Sequence, residues 1–283
     1  MEPEDKTQLA VLGGALFLGV VQGLTEFLPV SSSGHFVLFK QFIPGKNDDI
    51  LFVLVLHIGT LVPVLWFYRD TIAQMFRDIL GGSAGSSAAD GESTAYMQRD
   101  GVRMALLVVL ASIPTAIIGL GAKDFFEALF SSPETLTISF AVTGGLLLLT
   151  RRLSSGELTL QNIPLHYGLL LGLAQGFAIT PGISRSGTTI AVALMLGLKR
   201  DFAARYSFLM SVPAIAGGAL YETLKADTFD LDPGALLVGG FSSLVVGFFA
   251  LTLLVKLVKD GNLHYFAWYC FGAAAVAGLI AFA

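Results

Sequence analysis

Few residues in this chain can do chemistry inside an apolar segment, and they fall in two short stretches. Glu26 is the only acidic residue between Asp5 and Asp48, and Gln22 lies four positions before it, so a helix presents both on one face. Arg185 is the only Lys or Arg inside an apolar segment, set between Ser184 and Ser186 with Gly182 and Gly187 close by. An ionisable group in hydrocarbon is costly and marks function by default. The forked guanidinium suits phosphate oxygens, and the glycines let backbone amides approach an anion. His35 follows Gly34 where a helical segment should begin; an imidazole there could attack phosphorus or act as general base near neutral pH. Ser31, Ser32, Ser33, Ser184, Ser186, Thr188 and Thr189 add hydroxyls and the unpaired N–H groups of two helix starts, which attract anions.

Each of these has a plainer reading. Glu26 could be an interfacial carboxylate facing water, Arg185 could do no more than pair with Glu26 and close the two stretches together, and Ser-Gly runs form turns anywhere. Their depth in apolar sequence and their pairing favour function. His166 and His264 sit at segment ends and read as interfacial. His57, mid-span, reads as packing or as a hydrogen-bonding group behind the site. The single cysteine, Cys270, lies among aromatics and reads as packing.

The elements that must position these residues are membrane spans. Of 283 residues, 54% are apolar and 13% charged, against about 25% charged in an ordinary soluble domain. The runs Ile50 to Phe67, Met104 to Ala122, Gly234 to Val255 and Leu263 to Ala283 approach the roughly 20 residues that cross a bilayer. Leu136 to Thr150 and Tyr206 to Tyr221 are shorter, giving six predicted spans. Basic residues are scattered through the loops and the net charge is −4, which offers nucleic acid no surface. Met1 to Gln8 is acidic, unlike the start of a cleavable signal peptide.

Two further apolar regions are broken. One runs from Leu9, breaks at Pro29 and Ser31 to Gly34, and resumes to Ile43; the other runs from Leu165, breaks at Pro181 to Gly187, and resumes to Leu198. Arms this short suggest re-entrant hairpins, whose irregular tips must be covered by protein or face water. Placing Gln22 over Gln175 aligns Gly23 with Gly176, Ser31 with Ser184, Ser33 with Ser186 and Gly34 with Gly187, five identities in thirteen residues. Ser32 then falls opposite Arg185, and His35 opposite Thr188. A weaker echo links Ala111 to Thr115 with Met210 to Ala214.

With six spans and two hairpins, one face collects Arg69, Arg77, Arg99, Arg103, Arg151, Arg152, Lys199, Arg200, Arg205, Lys256 and Lys259, and the other only Lys6, Lys40, Lys46, Lys123 and Lys225. Eleven against five makes the first face cytoplasmic. The termini then lie outside, and the hairpins enter from opposite faces toward a shared midplane site. The predicted fold class is an all-α polytopic membrane protein: an inverted repeat with two re-entrant helical hairpins and about six transmembrane helices. It forms a single membrane domain over residues 1–283. The first repeat covers 1–122 with its hairpin at 9–43, and the second covers 136–283 with its hairpin at 165–198. Residues 81–101, rich in Gly, Ser and Ala, read as a flexible cytoplasmic loop.

A phosphate-handling enzyme needs a nucleophile or base and charge stabilisation of the transferring group, which His35 or Ser32 with Glu26 and Arg185 would supply. A transporter or flippase of a phosphorylated lipid needs only the anion site and the inverted repeat. An intramembrane serine protease would pair Ser32 with His35 and leave Arg185 without a task.

The stretches Gln22-Gly-Leu-Thr-Glu-Phe-Leu-Pro-Val-Ser-Ser-Ser-Gly-His35 and Pro181-Gly-Ile-Ser-Arg-Ser-Gly-Thr-Thr189 closely resemble the two signature motifs of the undecaprenyl-diphosphate phosphatase family, also called bacitracin-resistance proteins. The likeness continues through Leu56 to Thr60, Ser112 to Pro114 and Ser207 to Pro213. The resemblance implies hydrolysis of the C55 isoprenoid diphosphate to its monophosphate, recycling the carrier for peptidoglycan and conferring bacitracin resistance. It also implies a divalent cation, Mg²⁺ or Ca²⁺. Carried over, the site is Glu26, Ser32 and His35 with Ser184, Arg185 and Thr189. Gln22 stands where other members carry Glu, leaving Glu26 as the main acidic metal ligand with Gln22 beside it. The implied setting is the bacterial plasma membrane with the site facing the periplasm or exterior. The expected partners are the isoprenoid lipid diphosphate, membrane lipids and, as a homo-oligomer, a second copy of the chain.

Overall fold

The computed structural model describes residues 3–40, 50–81, 99–130, 132–225 and 232–282. Among these, the first half holds helices α1 (Pro3–Phe27), α2 (Ser32–Lys40), α3 (Ile50–Phe67), α4 (Arg69–Ile79), α5 (Asp100–Gly121), α6 (Lys123–Phe130) and α7 (Pro133–Leu149). The second half holds α8 (His166–Phe177), α9 (Arg185–Met195), α10 (Arg200–Lys225), α11 (Pro233–Lys259) and α12 (Phe266–Phe282). By length and composition, Gln8–Phe27, Asp100–Gly121, Pro233–Lys259 and Leu263–Ala281 can each cross a bilayer, and the pair Leu51–Phe67 and Arg69–Ile79, bent by 74°, supplies a fifth. The protein is an all-α polytopic membrane protein. Residues 82–98 of the predicted loop and 41–43 of the first hairpin lie outside the described residues.

The six predicted spans coincide with α3, α5, α7, α10, α11 and α12. Helix starts follow local chemistry: Asp232 caps α11 by accepting from the Gly234 N–H, Ser132 caps α7, and a proline follows each cap. One arm departs from expectation. The sequence places the break at Pro29 and makes the arm before it too short to cross; the helix does end at Phe27, but its Gln8–Phe27 stretch is long and apolar enough to span. The Gln22 amide donates to Glu26 Oε2 one turn on, so the two polar side chains satisfy each other and the helix is not interrupted. The other arms, α2, α8 and α9, are 9, 12 and 11 residues long.

Packing sets the first arm of each predicted hairpin against a helix of the other repeat. Helix α1 lies along α11, α8 lies along α5, and α7 pairs with α12. In α1 the contact runs through Gly19 and Gly23, in α8 through Gly172 and Gly176, which are the same positions in the alignment of the two stretches. A Cβ on Gly19 would lie 2.0 Å from Ser242 Oγ, and one on Gly172 2.1 Å from the Ala111 carbonyl oxygen. Small residues four apart let helix backbones meet where no hydrophobic effect drives them together.

Candidate active site

The two breaks meet backbone to backbone. Gly34 sits against Gly182, where a Cβ would come within 2.9 Å of the Gly182 Cα, and Gly187 sits against Pro29, at 3.0 Å from its Cβ. Alignment pairs Gly34 with Gly187 and Pro29 with Gly182, so each break makes the same contact on the other. The caps match too. Ser31 Oγ accepts from the Gly34 N–H and lies 3.3 Å from Ser33 Oγ; Ser184 Oγ accepts from the Gly187 N–H and lies 3.3 Å from Ser186 Oγ. Ser31 takes the left-handed conformation, φ 69°, which turns the chain into α2. Ser186 also reaches across to donate to the Phe27 carbonyl at 2.9 Å. On the far side, Thr143 of α7 donates to the Gly182 carbonyl, and Cys270 of α12 lies with its thiol against the Pro29 carbonyl.

At the centre is Glu26, 7% exposed. Its Oε2 accepts from Ser32 Oγ at 2.7 Å and from Gln22 Nε2 at 3.0 Å, and its Oε1 binds Arg185 Nη2. His57 Nε2 stands 3.7 Å from Oε2, and the His57 Nδ1–H donates to the Val53 carbonyl. The plain structural reading of the Arg185–Glu26 pair, a bridge closing the two stretches together, is thus a feature of the molecule. The same groups also line a cavity of about 800 Å³, with Glu26, Ser31, Ser32, Ser33, Ser184 and Arg185 in its wall.

Other predicted site residues lie behind this wall. His35 is 3% exposed; its Nδ1–H donates to the Ser31 carbonyl at 2.7 Å and its Nε2 meets the Tyr269 hydroxyl at 2.7 Å. It stacks on Tyr269 and packs edge-on to Phe140. Thr189 is buried, bonding the Arg185 carbonyl and Ser207, while Ser186 and Thr188 are buried and so is Gln22, which donates to Glu26. His57, read from sequence as packing or as a group behind the site, is in the cavity wall, as are Lys123, Tyr221 and Glu222, which carried no sequence signal.

The donors around Glu26 do not by themselves fit a Mg²⁺ or Ca²⁺ site. Among the described residues no three His, Cys, Asp or Glu side chains cluster as a metal set. Both oxygens of Glu26 are engaged, one by a guanidinium that repels a dication, and Gln22 turns its amide N–H toward the carboxylate. Hard cations require several oxygen ligands.

The family profile described as "Bacitracin resistance protein BacA" matches residues 15–276. The chain belongs to the BacA family. BacA relatives extend over almost its full length. The undecaprenyl-diphosphatase of Carboxydothermus hydrogenoformans is 41% identical over 260 residues, covering 90% of this chain and 92% of the relative. That of Halothermothrix orenii is 40% identical over 258 residues, covering 90% and 92%. That of Methanobrevibacter smithii is 38% identical over 270 residues, covering 95% of both chains.

Proposed function

We propose that this protein is an integral membrane phosphatase that hydrolyses undecaprenyl diphosphate to undecaprenyl phosphate and inorganic phosphate, recycling the carrier for cell-wall synthesis and conferring resistance to bacitracin. The observation that carries the reading is one hydroxyl: Ser32 Oγ lines the cavity, stands at the start of α2, and has its proton on Glu26 at 2.7 Å. Both nitrogens of His35 are engaged away from the cavity. Ser32 Oγ attacks the terminal phosphorus while Glu26 takes its proton. The bond from that phosphorus to the bridging oxygen breaks and the lipid monophosphate leaves. Water then attacks the phosphoserine, the serine oxygen recovers a proton, and inorganic phosphate departs. Arg185 and the N–H groups opening α2 and α9 hold the phosphoryl oxygens as charge develops.

The wall beyond the breaks is largely apolar, including Leu120, Phe126, Ile179, Ile215 and Leu224, and suits a prenyl tail. A divalent cation enters this scheme only as a companion of the diphosphate oxygens, since the side chains do not build a site for one. The halves are proposed to be inverted, which the matched contacts of the two breaks and the pairing of α1 with α11 and of α8 with α5 support. The bacterial plasma membrane with the cavity facing outward is the proposed setting: Lys123 in the cavity wall, and Lys225 against the Tyr221 ring of that wall, belong to the face poor in basic residues. A homo-oligomer is the proposed assembly.

Purified protein in detergent should release phosphate from undecaprenyl diphosphate, and Arg185→Ala should abolish release while the protein stays folded. Exchange of lipid across vesicles with no phosphate release would contradict the reading.

A further inference from the structure

The cavity holds a second charged cluster that the chemistry at Glu26 does not use. Lys123 Nζ donates to Glu222 Oε1 at 2.9 Å, with the two side chains 27% and 28% exposed. The Lys123 and Lys225 ammonium groups lie 5.0 and 4.5 Å from the centroid of the Tyr221 ring. Lys123, Tyr221 and Glu222 line the same cavity as Arg185. Glu222 lies twelve residues beyond Met210 on α10, about 18 Å at 1.5 Å per residue, and Met210 is where the Gln175 amide ties α8 to α10. Along that length α10 contributes Gly217 and Gly218, where an added Cβ would meet nothing within 4 Å.

We propose that Lys123 is a capture site for the diphosphate headgroup at the cavity mouth, held by Glu222 in the empty protein and passed to phosphate oxygens when the lipid arrives. The proposal rests on the phosphatase reading, which supplies the anion. A partly exposed ion pair adds little net stability, so exchanging its carboxylate for phosphate costs little. Lysine binds phosphate as a point charge and tolerates a shifting partner, as a waiting site requires. Tyr221 keeps the Lys225 charge at the same rim. On α10 the stretch between Met210 and Glu222 presents Gly217 and Gly218 to the cavity and adds no charged side chain there.

Equilibrium binding of undecaprenyl diphosphate to the full chain carrying Ser32→Ala, which removes turnover, tests this directly, with KM and kcat measured in parallel without that substitution. Lys123→Gln should weaken binding and raise KM by about tenfold, as for one lost charge-assisted hydrogen bond. Glu222→Gln should tighten binding and lower KM by about threefold by removing the competing carboxylate. Neither should change kcat, and Lys123→Arg should keep most of the affinity. Shifts in the same direction for both glutamines, or equal losses of thermal stability with unchanged binding, would mark a bridge that is only structural and overturn the proposal. A parent protein that binds the lipid but releases no phosphate would sink the phosphatase reading alone, because the opposed binding shifts remain readable.

Discussion

The break before α2 and the break before α9 share their serine caps and their glycine contacts and differ at the three positions that could carry chemistry. Both use a serine cap two residues from a second serine, both seat a glycine on the other break, and both rest on a helix of the pair α7 and α12. Yet the first carries Glu26, Ser32 and His35 where the second carries Ile179, Arg185 and Thr188. The shared part is scaffold and the unshared part is chemistry. A carboxylate and a hydroxyl on one break face a guanidinium on the other, so neither break makes a site alone.

The largest effect should come from the unshared residues. Ser32→Ala should reduce turnover by at least about 10³ with an unchanged thermal midpoint, since it removes the proposed nucleophile from a cavity wall. Arg185→Ala should cost a similar factor, as loss of an arginine clamp does. It should also lower the thermal midpoint, because a buried carboxylate left without its partner costs about 3–5 kcal/mol, less any relief from cavity water. Activity and melting measured on the same preparations separate the two.

His35→Ala should fall between these and the scaffold changes. Its ring pins the Ser31 carbonyl, and so the turn that aims Ser32, while Tyr269 and Phe140 hold it in place. Activity and thermal stability should therefore fall together. Loss of activity with an unchanged midpoint would place His35 in the reaction itself.

The scaffold positions sharpen the comparison with smaller effects. Gly34→Ala should destabilise more than Gly187→Ala, because its Cβ would sit 2.6 Å from Phe140 Cζ and close to Gly182 backbone, against 3.0 Å from Pro29 Cβ; overpacking of this kind costs about 1–3 kcal/mol. Smallest of all, Ser31→Ala and Ser184→Ala should each lower stability by about 1 kcal/mol as lost helix caps. Unequal losses of folding energy in that last pair would break the equivalence of the two breaks.

Much of this could be read in advance from residue order. The apolar run Ile50 to Phe67 is α3 residue for residue, and the alignment of Gln22 on Gln175 already paired Gly34 with Gly187. The end of α1 at the Pro29 break was legible but its reach as a full-length span was not, because Gln22 and Glu26 look too polar for a span until one donates to the other. The direction of His35 was not legible either: the hydroxyl that faces it belongs to Tyr269, 234 residues away. The Lys123–Glu222 pair gave no local signal for the same reason, and that of His57 was divided between packing and a place behind the site. Their place in the cavity is set by how α3, α6 and α10 pack, not by their neighbours in sequence.

The central claim is that Ser32 is the nucleophile, and trapping the phosphorylated intermediate tests it most directly. The protein is mixed with undecaprenyl diphosphate labelled on the terminal phosphate, quenched within a turnover and mapped by mass spectrometry. Phosphoserine at Ser32, absent from Ser32→Ala, is the predicted result. Phosphohistidine at His35, or no phosphorylated residue while heavy oxygen from solvent enters phosphate at the full rate of turnover, would contradict it.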